Sequence, residues 1–193
     1  MRWPVGLLIG LAPLACHAWV LTVTAGAKAM YLQVGAGTNN GNNALINLVS
    51  LSVPAAQVGT GALAMTSDST VSQSFFDGFT VCTPPQQVYF GAWYREPGAS
   101  TNVAPITVST PSALTSGADT ISFTRISWIS TSIGNGGAAD IPSGTFTGMA
   151  LQPVRTIPAN RWIENCLVFS YSNATVVPAG TYNGRATYTM STP

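Results

Sequence analysis

The sequence predicts an all-β protein, a single β-sandwich of two packed sheets held by one disulfide bond. Three observations lead to this fold class. Short runs of β-branched and aromatic residues recur between Gly, Pro and Asn, and no sustained helical period of apolar residues interrupts them. Charged residues make up only 7% of the 193-residue chain while hydrophobic residues hold at 46%. The chain therefore has enough apolar residues for one core and the length of one domain.

Residues 1–18 have the organisation of a secretory signal peptide. An early arginine is followed by an apolar run over residues 5–15, too short to cross a membrane as a helix, which needs about 20 residues. Small residues three and one positions before Trp19 predict cleavage there. We expect an exported single domain, residues 19–193, without a membrane span. Lipidation of Cys16 is the alternative processing route.

Cleavage would change the chemistry available to the chain. It would remove Arg2 and the only histidine, His17, leaving six basic against six acidic residues. A balanced charge of this kind supplies no basic field for phosphates, so nucleic acid is excluded as a partner. Serine or cysteine nucleophiles would lack an imidazole base, and the acidic residues are too scattered to predict a metal site. We expect no metal and no cofactor.

One carboxylate pair, Glu96 and Glu164, is the best available combination for an enzyme, namely a glycoside hydrolase. Their spacing gives no support to this role. The sequence around Glu96, YREPG, predicts a charged hairpin tip, and Glu164 is predicted at an outward strand position opposite Arg161 or Arg185. We therefore expect a protein that is not an enzyme.

Cys82 and Cys166 are the cysteines left after cleavage, and an even count in an exported chain predicts a disulfide. Closing so long a loop is worth about 4.5 kcal/mol by the chain-entropy argument. Two buried free thiols are the alternative. Trp93, on the strand after Cys82, gives the Cys, Trp, Cys order in which immunoglobulin-like sandwiches pack an indole on their disulfide.

The predicted strands follow one another at the short spacing of a sandwich. They span residues 19–24, 29–35, 44–53, 62–66, 75–82, 88–94, 106–109, 120–131, 145–151, 162–171 and 182–190.

The carboxy-terminal residues 176–190, VVPAGTYNGRATYTM, resemble the closing strand of bacterial fimbrial subunits of the chaperone-usher type, especially spore-coat-U-like pilins. The resemblance implies an exported immunoglobulin-like sandwich with an incomplete sheet, which the amino-terminal strand of the next subunit completes. It also implies a periplasmic chaperone and an usher as partners during export, and the cell surface as the final location.

The residues behind the cleavage site suit such a strand. Trp19, Leu21, Val23 and Ala25 fall on one face of an extended segment, with threonines between them. Residues 19–25 are therefore a candidate donor strand, although pairing within their own sandwich is equally compatible with the pattern.

The function predicted from these observations is a structural subunit or adhesin of a bacterial surface fibre, assembled by strand exchange between neighbouring copies of this chain or related subunits. The alternative is a secreted monomeric binding module, with carbohydrate as its candidate ligand, that uses Trp93, Tyr94 and loop asparagines.

Overall fold

The computed structural model describes residues 22–37, 47–131 and 139–192, and nearly all regular structure in them is β. Two short 3₁₀ turns, Ala55–Gln57 and Phe123–Arg125, accompany the strands. The strands are β1 (Ala29–Val34), β2 (Val49–Ser50), β3 (Gly61–Ala64), β4 (Thr66–Ser67), β5 (Val88–Arg95), β6 (Val103–Ser109), β7 (Ala113–Ser116), β8 (Asp119–Ser122), β9 (Ile126–Thr131), β10 (Gly144–Thr145), β11 (Gln152–Pro158), β12 (Arg161–Asn173) and β13 (Thr187–Met190).

Two antiparallel sheets form the sandwich. The large sheet has the order β1-β5-β12-β9-β10, and β3 pairs with the carboxy-terminal part of the long β12. The small sheet has the order β11-β6-β13. Two further ladders, β2 with β4 and β7 with β8, lie outside these sheets. The predicted all-β sandwich with one disulfide is confirmed.

The core lies between the sheets because alternate residues of each strand point inward. On β5 the inward residues are Phe90, Ala92 and Tyr94, and on β6 they are Ala104, Ile106 and Val108. Most of the inward side chains on β12 and β11 are likewise fully buried. The buried members of this core from those two strands are Ile163, Leu167, Phe169, Val154 and Ile157.

The disulfide joins Cys82 to Cys166, with 5.6 Å between the Cα atoms, but it does not connect the two sheets. Cys166 lies on β12, and Cys82 belongs to residues 68–87, which we term the covering segment because they lie over the outer face of the large sheet. Tyr89, and not the expected Trp93, packs against the disulfide. The immunoglobulin arrangement of indole on disulfide is therefore absent here, although the sandwich is present.

Several predicted strand boundaries are wrong. Residues 75–82 form a turn of the covering segment, with a single bridge between Gln73 and Thr80. Its aromatic residues gave a strand-like pattern, but they face the large sheet and solvent as parts of a turn that closes at Gly78, where φ is 75°. The predicted strand 120–131 is broken by the turn Phe123–Arg125.

Two later strands also differ from the predictions. The predicted strand 145–151 is paired only at Gly144–Thr145, and pairing resumes in β11 at Gln152. The last strand, predicted over 182–190, begins only at Thr187. Residues 1–21 and 44–46, with the predicted signal peptide, lie outside the described residues.

Candidate functional site

One side of the sandwich is open between β1 and β13. These strands are neighbours in space, but no ladder joins them. β13 is bonded to β6 on its inner side, where the Ser191 amide donates to Pro105. Because successive residues of a strand point their amides to opposite sides, Tyr188 and Met190 direct theirs away from β6. Within the described ranges no strand pairs with that side.

Partly exposed apolar side chains line this side, which we term the open edge. On β1, Met30, Leu32 and Val34 lie opposite Tyr94, Ala92 and Phe90, so they share the core face of the large sheet. Met30 is nevertheless 46% exposed, and Leu32 and Val34 are only half-buried. Among residues 22–37, 47–131 and 139–192, no strand covers these apolar side chains.

Tyr188 on β13 forms the other wall of the open edge. Its ring packs edge-on against Phe90, with 5.5 Å between the ring centroids. Its hydroxyl is buried and has no hydrogen-bond partner in the part of the chain that the structure describes. Burial raises the pKa of Tyr188, so the hydroxyl remains a protonated donor. An incoming backbone carbonyl would satisfy it.

The described part of the amino-terminal segment, residues 22–28, does not lie in the open edge of its own chain. From β1 it crosses the end of the large sheet, past β5, to β12. The Gly26 amide donates to the Glu96 carbonyl over 3.2 Å, the Val23 amide donates to the Asn160 carbonyl over 3.1 Å, and Thr22 forms a bridge with Arg161. Val23 is half-buried and Ala25 is exposed.

Trp19 and Leu21, the other two residues of the candidate donor face, lie outside the described residues. Val23 and Ala25, the described residues of that face, thus lie at the end of the large sheet near β12, away from the open edge. Few hydrogen bonds hold them there.

Glu96 stands where the amino-terminal segment meets the sandwich. It is only 4% exposed, which differs from the predicted hairpin tip. Its carboxylate accepts hydrogen bonds from the hydroxyls of Tyr94 and Ser100 and from the Asn102 amide at 2.9 Å, and it pairs with the Lys28 ammonium at 3.1 Å. The Ser100 hydroxyl first, and then that of Tyr94, lower the pKa of Glu96 to about 2.

Glu164 does lie on the outer face of the large sheet, but it is buried there. The residue opposite it is Gly91 and not Arg161 or Arg185. Glu164 is 2% exposed, beneath the covering segment. The Tyr89 hydroxyl donates to its carboxylate over 2.9 Å. Burial first, and then the charge of Glu164, raise the pKa of Tyr89. Gly91 opposite Glu164 leaves room for the Tyr89 ring, because a Cβ there would lie 2.3 Å from the hydroxyl oxygen.

The two carboxylates are not brought together. Glu164 pairs with Gly91, and Glu96 follows five residues later on the same strand, which corresponds to about 16 Å along it. An odd number of positions also places them on opposite faces of the large sheet. Glycosidase carboxylates are about 5 to 9.5 Å apart on one substrate, so Glu96 and Glu164 do not form such a pair.

An aromatic cluster joins the covering segment to the large sheet. Tyr31 stacks on Phe75 with centroids 4.8 Å apart, and Phe76 contacts Trp162 at 5.0 Å. Phe75, Phe76 and Phe79 are nevertheless largely exposed, and we term these three residues the aromatic tip. Sequence reasoning assigned them to a strand and so missed this surface.

The residues of the predicted carbohydrate surface are poorly placed for it. Tyr94 is fully buried in the core, so it has no access to a ligand. The Trp93 ring is half-exposed, but Tyr31 stacks parallel to it at 6.2 Å and the Arg95 guanidinium lies over it at 5.5 Å. Trp93 therefore offers no bare platform for a sugar.

Across the described ranges, no cluster of three or more His, Cys, Asp or Glu side chains is arranged to hold a metal ion. No helix in those same ranges combines the length and apolar character needed to cross a membrane. Comparison with protein-family models, with curated proteins and with solved structures found no match to this chain.

Proposed function

We propose that this chain is an exported structural subunit of a bacterial surface fibre, in which the amino-terminal strand of one copy fills the open edge of the next. The observation that carries the proposal is the separation of the two parts within one chain. The open edge lacks a covering strand among the described residues, while the segment that could supply one is led away from it across the sheet end.

The open edge and residues 19–25 match in chemistry. Seven extended residues span about 23 Å, which is enough to run past the whole of the four-residue β13, about 13 Å long, and along β1, about 20 Å long. Added beside β13, the strand would bond to its outward amides and carbonyls, while Trp19, Leu21 and Val23 would cover the apolar walls. Burying each of the larger side chains is worth up to about 1.5 to 3 kcal/mol.

Assembly of this kind produces fibres. The strand and the open edge are different surfaces, so the contact is head-to-tail and leaves one free strand and one free edge at the ends. An unoccupied edge before assembly is an aggregation hazard. A periplasmic chaperone that covers it and an usher that orders the exchange are the partners this proposal requires.

The proposal places the fibre outside the cytoplasm. The disulfide is of the kind that persists in oxidising compartments. Residues 1–18 act as the signal peptide, so the mature chain begins at Trp19. Mass spectrometry of the exported protein tests this step, and a chain that retains Met1 or carries lipid on Cys16 would contradict it.

Truncation tests assembly directly. A chain that begins at Thr22 keeps every described contact of the amino-terminal segment but lacks Trp19 and Leu21. We expect filaments by negative-stain microscopy from the oxidised chain beginning at Trp19, and folded monomers from the truncated chain. A stable monomer of the longer chain at high concentration would refute the fibre.

A second candidate function, a secreted binding module, rests on the aromatic tip. Phe75 and Phe79 are 65% and 70% exposed on a segment that the disulfide anchors, and exposed apolar groups of this kind mark interaction surfaces. Binding of a monomer to a glycan array, lost on replacing both residues by serine, would favour this function.

A further inference from the structure

We propose that Glu96 is a positioning residue that anchors the donor strand. It holds Gly26 and Lys28 at the end of the large sheet, so that the strand leaves every subunit from the same point. The inference rests on the proposed function and adds to it the residue that sets the geometry of the exchange.

Glu96 gathers three separate parts of the chain. Its carboxylate binds the Lys28 ammonium of the amino-terminal segment, the Tyr94 hydroxyl of β5, and the Ser100 and Asn102 side chains of the loop before β6, while its main-chain carbonyl accepts from the Gly26 amide. A nearly buried carboxylate is tolerated only where such partners satisfy it. Its charge therefore fixes Lys28 against the sandwich more firmly than a neutral group would.

Neighbouring groups add further hydrogen bonds at this anchor point. The amide of Glu96 donates to the Asn160 side chain at 3.0 Å, and the Arg95 guanidinium donates to the Ala27 carbonyl at 3.1 Å. Asn160 occupies the left-handed region, with φ of 60°, in the turn between β11 and β12. Residues 26–28 are thus held by Arg95 and Glu96 at the end of β5, and the turn between β11 and β12 holds Glu96 and Val23.

The contacts that hold the amino-terminal segment become fewer toward the amino terminus. Beyond Gly26, one backbone bond at Val23 and one bridge at Thr22 are the described main-chain contacts. These can be exchanged for bonds to a neighbour while the contacts of Glu96 remain. The small residues Ala25, Gly26 and Ala27 lie at the boundary, so the strand can turn there without moving a large side chain.

Glu164 provides the matched control. It is as deeply buried as Glu96 and lies on the same sheet, but its carboxylate accepts from the Tyr89 hydroxyl beneath the covering segment. Glu96→Gln and Glu164→Gln each remove one buried charge, and only the first removes the charge that pairs with Lys28 of the amino-terminal segment.

The experiment combines three measurements on the disulfide-bonded mature chain. Tryptic cleavage after Lys28 reports local release, thermal unfolding reports global stability, and light scattering reports the rate of filament elongation. For Glu96→Gln we expect cleavage about tenfold faster and elongation at least tenfold slower, because a charge-assisted hydrogen bond is lost. Glu164→Gln should cleave and elongate like the wild type, whatever its thermal stability.

Each other outcome overturns the proposal. Unchanged cleavage after Lys28 in Glu96→Gln shows that Glu96 does not hold the segment. Faster cleavage with wild-type elongation shows that the contacts of Glu96 do not position the donor strand for assembly. If the wild type forms no filaments, the proposed function fails and the positioning role fails with it, whereas protection of Lys28 would still be measured separately.

Should Glu96→Gln not fold, Lys28→Gln replaces it. This change removes the same ion pair from its half-exposed end and leaves the carboxylate with its other partners. Faster hydrogen exchange at the Gly26 amide than in the wild type, with slower elongation, supports the proposal. Wild-type values for either quantity contradict it.

Discussion

Removing the disulfide should destabilise the fold by about 2 to 5 kcal/mol and release the covering segment first. The bond joins cysteines 84 positions apart, for which chain entropy alone gives about 4.5 kcal/mol. Both cysteines are almost fully buried against Tyr89, so replacing them also loses packing. The bond joins the covering segment to β12 and does not join the two sheets. Part of the lost stability is therefore confined to the covering segment.

The assay separates the two effects. In a Cys82→Ala and Cys166→Ala double variant, urea unfolding gives the global loss, equivalent to a fall in Tm of roughly 4 to 20 °C for a chain of this size. Chymotryptic cleavage at the aromatic tip gives the local one. Trp162 lies beneath Phe76, so its fluorescence should change when the segment lifts.

We expect the double variant to be cut at the tip under conditions where the sandwich is still folded. A loss below about 1 kcal/mol, with cleavage at the tip unchanged, would refute the anchoring argument. The pair Phe75→Ser and Phe79→Ser is the control, because exposed side chains are expected to change stability by no more than about 0.5 kcal/mol each.

Three further predictions concern single side chains. Leu21→Asp should abolish polymerisation by placing a charge in the apolar edge, whereas Thr24→Asp, on the opposite face of the strand, should not; both are followed by light scattering. Tyr89→Phe should lower the unfolding free energy by about 1 to 3 kcal/mol in urea, because buried Glu164 loses its donor, and an unchanged midpoint would contradict this. The stability that Glu96 contributes should be present above its ordinary pKa of 4.5 and be lost as the pH falls toward about 2, so acid unfolding of Glu96→Gln should depend less on pH over that range.

The architecture was predictable because it depends on patterns local to the sequence. Short runs of β-branched and aromatic residues between Gly, Pro and Asn, and the even number of cysteines left after the predicted cleavage, predicted an all-β sandwich with one disulfide. The position of Phe75 was not predictable, since an aromatic run looks alike whether it enters a ladder or stacks on Tyr31 from a turn.

The environments of the carboxylates were equally hidden. Glu164 reads as an outward strand residue, and it does point away from the core, but a distant segment that the disulfide holds in place buries it. Glu96 is buried by Ser100 and Asn102, which follow it in the chain, and by Lys28, which is far from it in sequence. A hydroxyl and an amide four and six positions after the glutamate were the signal available.

The open edge is a property of the assembled sheets. The apolar residues of β1, including Met30, have the same sequence pattern whether or not another strand covers them. The sequence therefore does not show that this edge is open. Only the order β11-β6-β13 shows that the last strand stands at the border of its sheet.

The central claim is that residues 19–25 of one copy lie beside β13 of another, and cross-linking between two variants that each carry one added cysteine besides the native disulfide tests it most directly. Thr24→Cys marks the outward face of the donor strand, and Thr189→Cys marks the outward face of β13, where the threonine is exposed. Thr156→Cys, exposed on β11 at the other border of the small sheet, is the control. Mixed under mild oxidation, the Thr24→Cys and Thr189→Cys variants should form a linked dimer that the Thr156→Cys control does not form. Equal cross-linking at both borders, or none at β13 while filaments form, would contradict strand exchange at the open edge.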